Sequence, residues 1–587
     1  VPEIVMVISD EELIVNLIST ELDRQTRAKT TKTILMRDFE EIQQTNYDVI
    51  IIGGGINGAG TARDAAMRGL KTILIEKGDF ASGTSSWSTR LIHGGLRYLE
   101  YFEFPLVREA LKEREVLLRT APHLVNPLLL TIPIYRDRSR PYWKIWAGMI
   151  LYDLFSFDKS LPLHRMLPKL PFQQLFRYLD RDNLVGGAQY YDGQVPLAER
   201  LCWENILAAK EAGANVLNYV EVTQLNINEN RIDSLSCQDK TSGKTFTVSG
   251  TPEAVIINTS GPWIDRVCQL ENDAPIGKTR KIGGTKGSHI VVDPFAGAPA
   301  TSLYVEAKSD GRPFFIVPWL GMYLIGTTDL PFSGDLDRIK ADNQEIDYLL
   351  TETNHIIPTA NLSRADVKFT YSGVRPLPNE EGKKPGSITR KHILYDHSPE
   401  GVNNLISLIG GKLTTYRHVG EELIDAVFKK TRKSYRSCMT ATTPLPGCIL
   451  PDDPQIFQTI ERYRTIVDSS KVNYLFSVYG RRATEVLALT EKNPELAAPI
   501  TPNLPDIKAQ IVYAVREELA LTLVDITRRR TTLAMQNNYG LDLLPILTDI
   551  LQEYCGWSRE RCDRAITEYR NYMQDNCIPD YQSKLVG

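Results

Sequence analysis

The sequence predicts a mixed α/β fold in three parts, and three observations predict it. A continuous apolar run at residues 49–52 leads straight into Gly53-Gly54-Gly55-Ile56-Asn57-Gly58, then an alanine-rich helical segment and a second apolar run at 72–75. That is the pattern of a strand, tight turn, helix and parallel strand. Runs at 288–292, 314–317 and 322–325 read as strands of a second, antiparallel sheet. Beyond Pro444-Leu445-Pro446-Gly447 the strand signals fade, and helical patterns dominate from Gln455 to the end. The boundaries drawn are an extension at 1–45, a discontinuous nucleotide-type domain with an inserted sheet domain at 46–440, and a helical domain at 441–587.

The chain of 587 residues is long enough for several domains, each with its own core. Its net charge of −4 excludes the global basic field of a nucleic-acid binder, so any anion site must be local. The 8 cysteines form no C-x-x-C pair, so neither a metal site nor a dithiol centre is expected, and a reduced cytoplasmic setting is the default. No secretory signal pattern and no run of about 20 apolar residues is visible. Residues 1–45 carry an apolar patch at 4–8, an amphipathic stretch at 11–22 and a polar run at 23–32. With Val1 at the start and Met36 just ahead of the first strand, they read as a dispensable extension or a misplaced start, with a regulatory arm the alternative.

The glycine motif meets every contextual condition: a strand before it, a helix after it, a second strand, and Glu76 closing that strand 23 residues past Gly53. Gly53 permits the tight turn, Gly55 close approach of backbone to a pyrophosphate, and Gly58 close packing of helix on strand. The helix N-terminus presents free N–H groups to phosphate, and Glu76 can accept bonds from ribose hydroxyls. These residues alone do not separate NAD from FAD. The hydroxyl-rich stretch 81–90 suits a diphosphate and ribityl chain, which favours FAD. Runs at 254–257 and 405–409 add buried strands that end in or near glycine.

From Ser85 the sequence Ser-Ser-Trp-Ser-Thr-Arg-Leu-Ile-His-Gly-Gly-Leu-Arg-Tyr-Leu-Glu resembles the FAD-dependent glycerol-3-phosphate dehydrogenase family. Further blocks at 258–263, 286–292, 325–329, 371–376, 388–390 and 410–417 extend the resemblance from about residue 46 to beyond 530. One departure follows Tyr191-Asp192-Gly193, where the family has an acidic pair and this chain has Gln194-Val195-Pro196. The resemblance implies a Rossmann-like FAD domain, a substrate domain with an antiparallel sheet, and a helical C-terminal cap. It implies oxidation of sn-glycerol 3-phosphate to dihydroxyacetone phosphate, with electrons passing through FAD to membrane quinone. The alternatives are an oxidase using dioxygen and a related amine or amino-acid oxidase. The implied cofactor contacts are Gly53, Gly54, Gly55, Asn57, Gly58, Glu76, Lys77, Thr84, Ser85, Ser86, Leu91, His93, Gly94, Val222, Ser260, Gly261, Gly411, Leu413 and Thr414. Nothing around His93 demands a covalent flavin link.

An alcohol loses a hydride to flavin and a proton to a base, and His289 is the candidate base because imidazole titrates near neutrality. Arg97, Tyr98, Arg375, Arg390 and Lys412 are the implied substrate contacts, with His289, Arg375 and Lys412 as the catalytic set. Arginine suits a phosphate because it binds its oxygens bidentately. The turn at 410–414 is expected to end a strand and open a helix facing the flavin. Residues 138–152, basic and aromatic, read as a membrane-interface segment on the cytoplasmic side, with a buried helix as the alternative. A homodimer is compatible with the sequence. From the run alone, Arg528-Arg529-Arg530 reads as a solvated face.

Overall fold

The computed structural model describes residues 38–270, 276–277, 279–380 and 388–585. Most of the N-terminal extension, residues 1–37 with their patches, lies outside the described residues. Two sheets organise the rest. In the first, the order is Ile393–Asp396, Leu405–Ile409, Thr245–Asn258, Asn46–Ile52, Thr72–Ile75 and Asn215–Leu217. Its centre is parallel, with Ile50 level with Ile256 on one side and Ile73 on the other. Alternation explains why these strands read as unbroken apolar runs. Val49 and Ile51 pack with Ala59, Ala62, Val419 and Leu423, from helices Ile56–Met67 and Tyr416–Lys430. Ile50 and Ile52 face the other way, against Leu225, Leu235 and Val248 of the hairpin strands. Both faces are covered, so neither residue set can be polar.

The second sheet carries the expected antiparallel strands. Thr285–Val292 lies between Val367–Arg375 and Met322–Gly326, and Pro313–Trp319 continues the sheet. The sheet also recruits earlier chain. Ser302–Glu306 runs parallel to Asn126–Tyr135, which pairs with Leu184–Gln194. Beyond residue 450 helices dominate, from Pro454–Tyr463 to Arg559–Asn576. Their core, including Leu475, Ile511 and Leu547, is continuous with Trp319, Phe369 and Tyr371 of the second sheet.

Helix Tyr142–Phe155 departs from the buried-helix alternative. It buries Met149 and Tyr152 but turns Trp143 (68% exposed), Trp146 and Leu154 outward. Phe102 and Phe157 are exposed as well. Among the described residues, no helix is long and apolar enough to cross a membrane.

The three arginines correct the sequence reading: Arg528, Arg529 and Arg530 are buried rather than solvated. They lie in the π-helical turn Asp525–Arg530. Arg529 Nε and Arg530 Nη1 each donate to Asp79 Oδ2 at 2.7 Å, and Arg528 Nη1 reaches Glu199 Oε1 at 3.1 Å. Asp79 and Glu199 stand more than 300 residues earlier, beyond the reach of a local reading, while Asp525 pairs with Arg529 from within the same turn. Burial opposes charge on Asp79, but Arg530 and Arg529 outweigh it and hold the carboxyl down at about 2. Because the folded value is depressed, the stabilisation is complete above the unfolded value of about 3.9 and is lost as pH falls through about 2. Asp79→Asn should cost roughly 3–5 kcal/mol, since Arg530 stays buried without a carboxylate and Arg529 keeps only Asp525. Urea unfolding at neutral pH measures it, and an unchanged midpoint would show that the cluster contributes nothing.

Candidate functional site

A cleft of about 760 Å³ opens at the C-terminal ends of the parallel strands, where such sheets bind ligands. Its floor is the glycine turn. Gly53 has φ +106, and a Cβ there would lie 2.8 Å from the Ser260 backbone. At Gly58 a Cβ would meet the Gly53 carbonyl oxygen at 1.9 Å, so only glycine lets the helix approach the strand this closely. The helix Ile56–Met67 has Gly55 as its N-cap with no side-chain cap bond, and the Ile56 N–H donates to Ser85 Oγ at 2.9 Å. Glu76 closes the second strand as expected. Its carboxylate accepts from the Gly54 N–H (2.7 Å) and the Gly78 N–H (2.8 Å), with lone pairs left for a ligand. Burial raises the Glu76 pKa, against those two bonds.

A second cavity of about 320 Å³ adjoins the cleft, and the two share Thr84, Trp87, Ser88, Gly411, Lys412 and Leu413 as wall. It gathers the implied substrate residues Arg97, Tyr98, Arg375, Arg390 and Lys412, together with the candidate base His289. Asp329 sits among three guanidinium groups. Arg375 Nη1 lies 3.1 Å from Oδ1, while Arg312 Nη2 (3.0 Å) and Arg390 Nη2 (3.4 Å) approach Oδ2. Burial raises the Asp329 pKa, but Arg375 and Arg390 overcome it and keep the group ionised. Lys412 Nζ stands 4.0 Å over the Tyr98 ring, is buried and has no hydrogen-bonding partner among the described residues. Burial brings its pKa down to about 7. His289 Nε2 is 2.9 Å from Thr89 Oγ1, its ring stacks on Tyr371 at 4.7 Å, and its Nδ1 is buried without a partner. Burial, then the charges of Arg375 and Arg90, hold the imidazole neutral, well below its ordinary pKa.

The cleft brings together Gly53, Gly55, Asn57, Glu76, Lys77, Thr84, Ser85, Val222, Ser260, Gly261, Gly411 and Leu413. Leu91, His93 and Thr414 line the second cavity instead. Gly54 and Gly58 lie behind the turn. Two further expected contacts, Ser86 and Gly94, line neither cavity. The Ser86 hydroxyl donates to the Ala81 carbonyl at 2.7 Å, and the Gly94 N–H donates to Tyr152 Oη at 2.9 Å. In both cases local protein bonds use the polar group. Lys77 is also engaged, its ammonium 2.6 Å from Asp337 Oδ1. The helix after Gly410 begins at Tyr416, later than expected, and Gly410 and Gly411 take φ +83 and +93 in the turn before it. The sequence reading gave no role to Asp329, although it ends a quoted block, and overlooked Arg312, which no motif marks.

The residues of the cleft fit a dinucleotide: a turn that admits no side chain, an open helix N-terminus and a strand-end carboxylate on one wall. Residues 48–417 match the family model for FAD dependent oxidoreductases, and 438–562 match that for the C-terminal domain of alpha-glycerophosphate oxidase. A glycerol-3-phosphate dehydrogenase of Synechocystis sp. is 61% identical over 93% of this chain and 100% of its own length. The mitochondrial glycerol-3-phosphate dehydrogenase of Bos taurus is 32% identical over 95% of this chain and 76% of its own. The solved glycerol-3-phosphate dehydrogenase of Bacillus halodurans, complexed with FAD, superposes with a TM-score of 0.73 at 27% identity, covering 92% of this chain and 96% of its own. The cofactor is FAD. Gly53→Ala should therefore yield folded protein with little flavin, because both φ and space exclude the methyl group. The flavin-to-protein absorbance ratio checks it, and full occupancy would show that the turn can shift.

Proposed function

Because the chain belongs to the family of FAD-dependent glycerol-3-phosphate dehydrogenases, we propose that it oxidises sn-glycerol 3-phosphate to dihydroxyacetone phosphate. The observation that carries this reading is the cationic wall of the second cavity. Arg312, Arg375 and Arg390 surround the single carboxylate of Asp329, with Lys412 on the same cavity. Arg97 and Glu103 line the cavity too, so basic groups outnumber the two carboxylates and leave positive charge for a phosphate dianion, which is costly to desolvate unpaired. The comparatively modest carboxylate of an amino acid needs no such surplus.

Bound FAD supplies the two-electron oxidant that takes the hydride from the substrate carbon. Gly53, Gly55, Ser85, Ser260 and Gly411 would hold it along the cleft. The chain's own residues do the rest. Arg375 and Arg390 orient the phosphate end, which fixes the hydroxyl-bearing carbon toward the shared wall. His289 is the proposed proton acceptor. We assign Nε2–H as the donor to Thr89 Oγ1, 2.9 Å away, which leaves the lone pair on Nδ1 and the neutral ring ready to accept. Tyr371 holds the ring by stacking, and its hydroxyl donates to the Ser88 carbonyl at 2.7 Å.

We further propose that the outward face of helix Tyr142–Phe155 rests on a membrane and that the electrons go to quinone there. Two exposed tryptophans and Leu154, with Lys144 beside them, match the composition of an interfacial helix. Trp143→Glu with Trp146→Glu should move the protein from the membrane pellet to the soluble fraction while dye-linked activity persists. Unchanged partition would overturn this placement.

The phosphate clamp gives a sharper test. Truncating one partner of a buried charge pair costs roughly 2–5 kcal/mol. Arg375→Ala should thus lower kcat/KM for glycerol 3-phosphate by about 30-fold to several thousand-fold. Unphosphorylated glycerol, with no dianion to lose, should be a poor substrate for both proteins and be affected far less. FAD content should stay near normal. Equal losses for both substrates, or colourless protein, would assign Arg375 to the fold or the flavin instead.

A further inference from the structure

The cofactor cleft is lined in part by a loop that belongs to neither of its side walls. In the first sheet, strand Asn46–Ile52, which leads into the glycine turn, lies between Thr245–Asn258 and Thr72–Ile75. Lys77 follows the strand on one side, directly after Glu76. Trp263 and Arg266 follow the strand on the other, in the short helical turns Gly261–Trp263 and Ile264–Val267. All three line the cleft. So do Leu336, Asp337 and Ile339, which come from elsewhere. They sit in residues 332–342, a stretch without helix or strand between Leu330–Pro331 of the second sheet and helix Asn343–Ile356.

One carboxylate of that loop joins both walls. Asp337 Oδ1 accepts from Lys77 Nζ at 2.6 Å and from Trp263 Nε1 at 3.0 Å, while Oδ2 accepts from Arg266 Nη1 at 2.6 Å. Arg266 Nη2 also reaches Asp335 Oδ1 at 3.2 Å. Lys77 Nζ lies 4.7 Å from the centre of the Trp263 ring, so the two walls meet at Asp337. Burial opposes charge on Asp337, but its bonds with Lys77 and Arg266 outweigh it and keep the group ionised. Further along, the loop is tied to the C-terminal helical region. Lys340 Nζ is 2.8 Å from Asp580 Oδ1, and Tyr572 and Asn576 of helix Arg559–Asn576 line the same cleft. A ligand on the glycine turn is thus enclosed by Lys77 on one side, by Trp263 and Arg266 on the other, and by Asp337 linking them. These contacts are accessible to solvent: the side chains of Lys77, Asp337 and Arg266 are 35%, 46% and 47% exposed. Ion pairs of this kind are individually weak and are screened by salt, so a closure made of them can open and reclose.

We propose that residues 332–342 form a strap across the cofactor cleft, with Asp337 as its catch, and that opening this catch limits the exchange of FAD. Leu336 and Ile339 give the strap its apolar contact with the cleft, and the ion pairs of Asp337 decide how often it lifts. The strap acts on the cofactor, whatever alcohol the second cavity takes.

The test follows FAD exchange on the flavin-loaded protein. An excess of radiolabelled FAD is added, and the label retained after desalting gives the release rate. The measurement is made at about 0.1 M and about 1 M NaCl, between which the Debye length falls from about 10 Å to about 3 Å. In the unmodified protein, release should be about threefold or more faster at the higher salt, as the catch is screened. Asp337→Asn should release FAD about three- to thirtyfold faster at the lower salt and lose most of the salt dependence, while Asp337→Glu, which keeps the charge, should stay near the unmodified rate. Arg266→Gln, a change on an exposed side chain, should also speed release. The double variant should be no faster than Asp337→Asn alone, because both changes open the same catch. A loop that merely supports the fold would lower the unfolding temperature and leave the salt dependence of release as it was. Unchanged release in Asp337→Asn and Arg266→Gln, full salt dependence retained in Asp337→Asn, or additive effects in the double variant would each overturn the strap.

Discussion

The burial of Arg528, Arg529 and Arg530 is the constraint on which much of the remaining architecture depends. A guanidinium group cannot leave water without carboxylates and carbonyls to meet it. Here Asp525 and the Glu518 carbonyl supply part of the match from the same region, and the cofactor-binding part of the chain supplies the rest. Asp79 follows the strand-end Glu76 by three residues, and Glu199 opens helix Ala198–Glu211. Arg90 joins from a third direction and is bonded by Glu199 and by the Ser86 carbonyl. The Arg528 guanidinium lies 4.7 Å over the Trp87 ring, and Trp87 lines both cavities. The helical region is thereby tied to the segment that walls the site, rather than lying against it as an accessory. From there the order passes inward: Ser88 receives the Tyr371 hydroxyl, and Tyr371 stacks on His289.

This dependence explains which features were legible in the sequence. The nucleotide unit could be read because its physics is local. A strand buried on both faces must be apolar over successive residues, a turn at φ +106 needs glycine, and a helix touching Gly53 tolerates only hydrogen at Gly58. The second sheet was readable for the same reason, from short β-rich runs between turns. The charge clusters were not readable. Arg528–Arg530 resemble a surface run until Asp79 and Glu199 are known, and these lie hundreds of residues away. Arg312 carries no local mark either, since its role comes from strand Pro313–Trp319 delivering it to Asp329. Ser86 and Gly94 show the converse. They sit in stretches of strong resemblance, but the direction of one hydroxyl and one N–H is set by Ala81 and Tyr152, which sequence spacing does not specify. The residues that the resemblance implied as substrate contacts line one cavity. Their individual roles rest on the geometry and on the proposed reaction.

The cationic wall and the neutral histidine impose opposite demands on one small cavity. Arginines that attract a dianion also lower the proton affinity of His289, and Arg375 is one of the charges that does so. Burial and these charges keep the imidazole unprotonated, so it is ready to accept but weakly basic. On the proposed function the substrate itself corrects the weakness. A phosphate dianion arriving beside Arg375 offsets the guanidinium's field at the ring and so raises the affinity of His289 for a proton. The base would then be strongest when the hydroxyl it serves is present, and weakest when only water or an uncharged alcohol occupies the cavity. Glycerol brings no dianion and would meet both a poorly filled clamp and a weaker base. Selection for the phosphorylated substrate thus need not come from binding alone. The same electrostatic coupling lets the clamp and the base act on kcat as well as on KM.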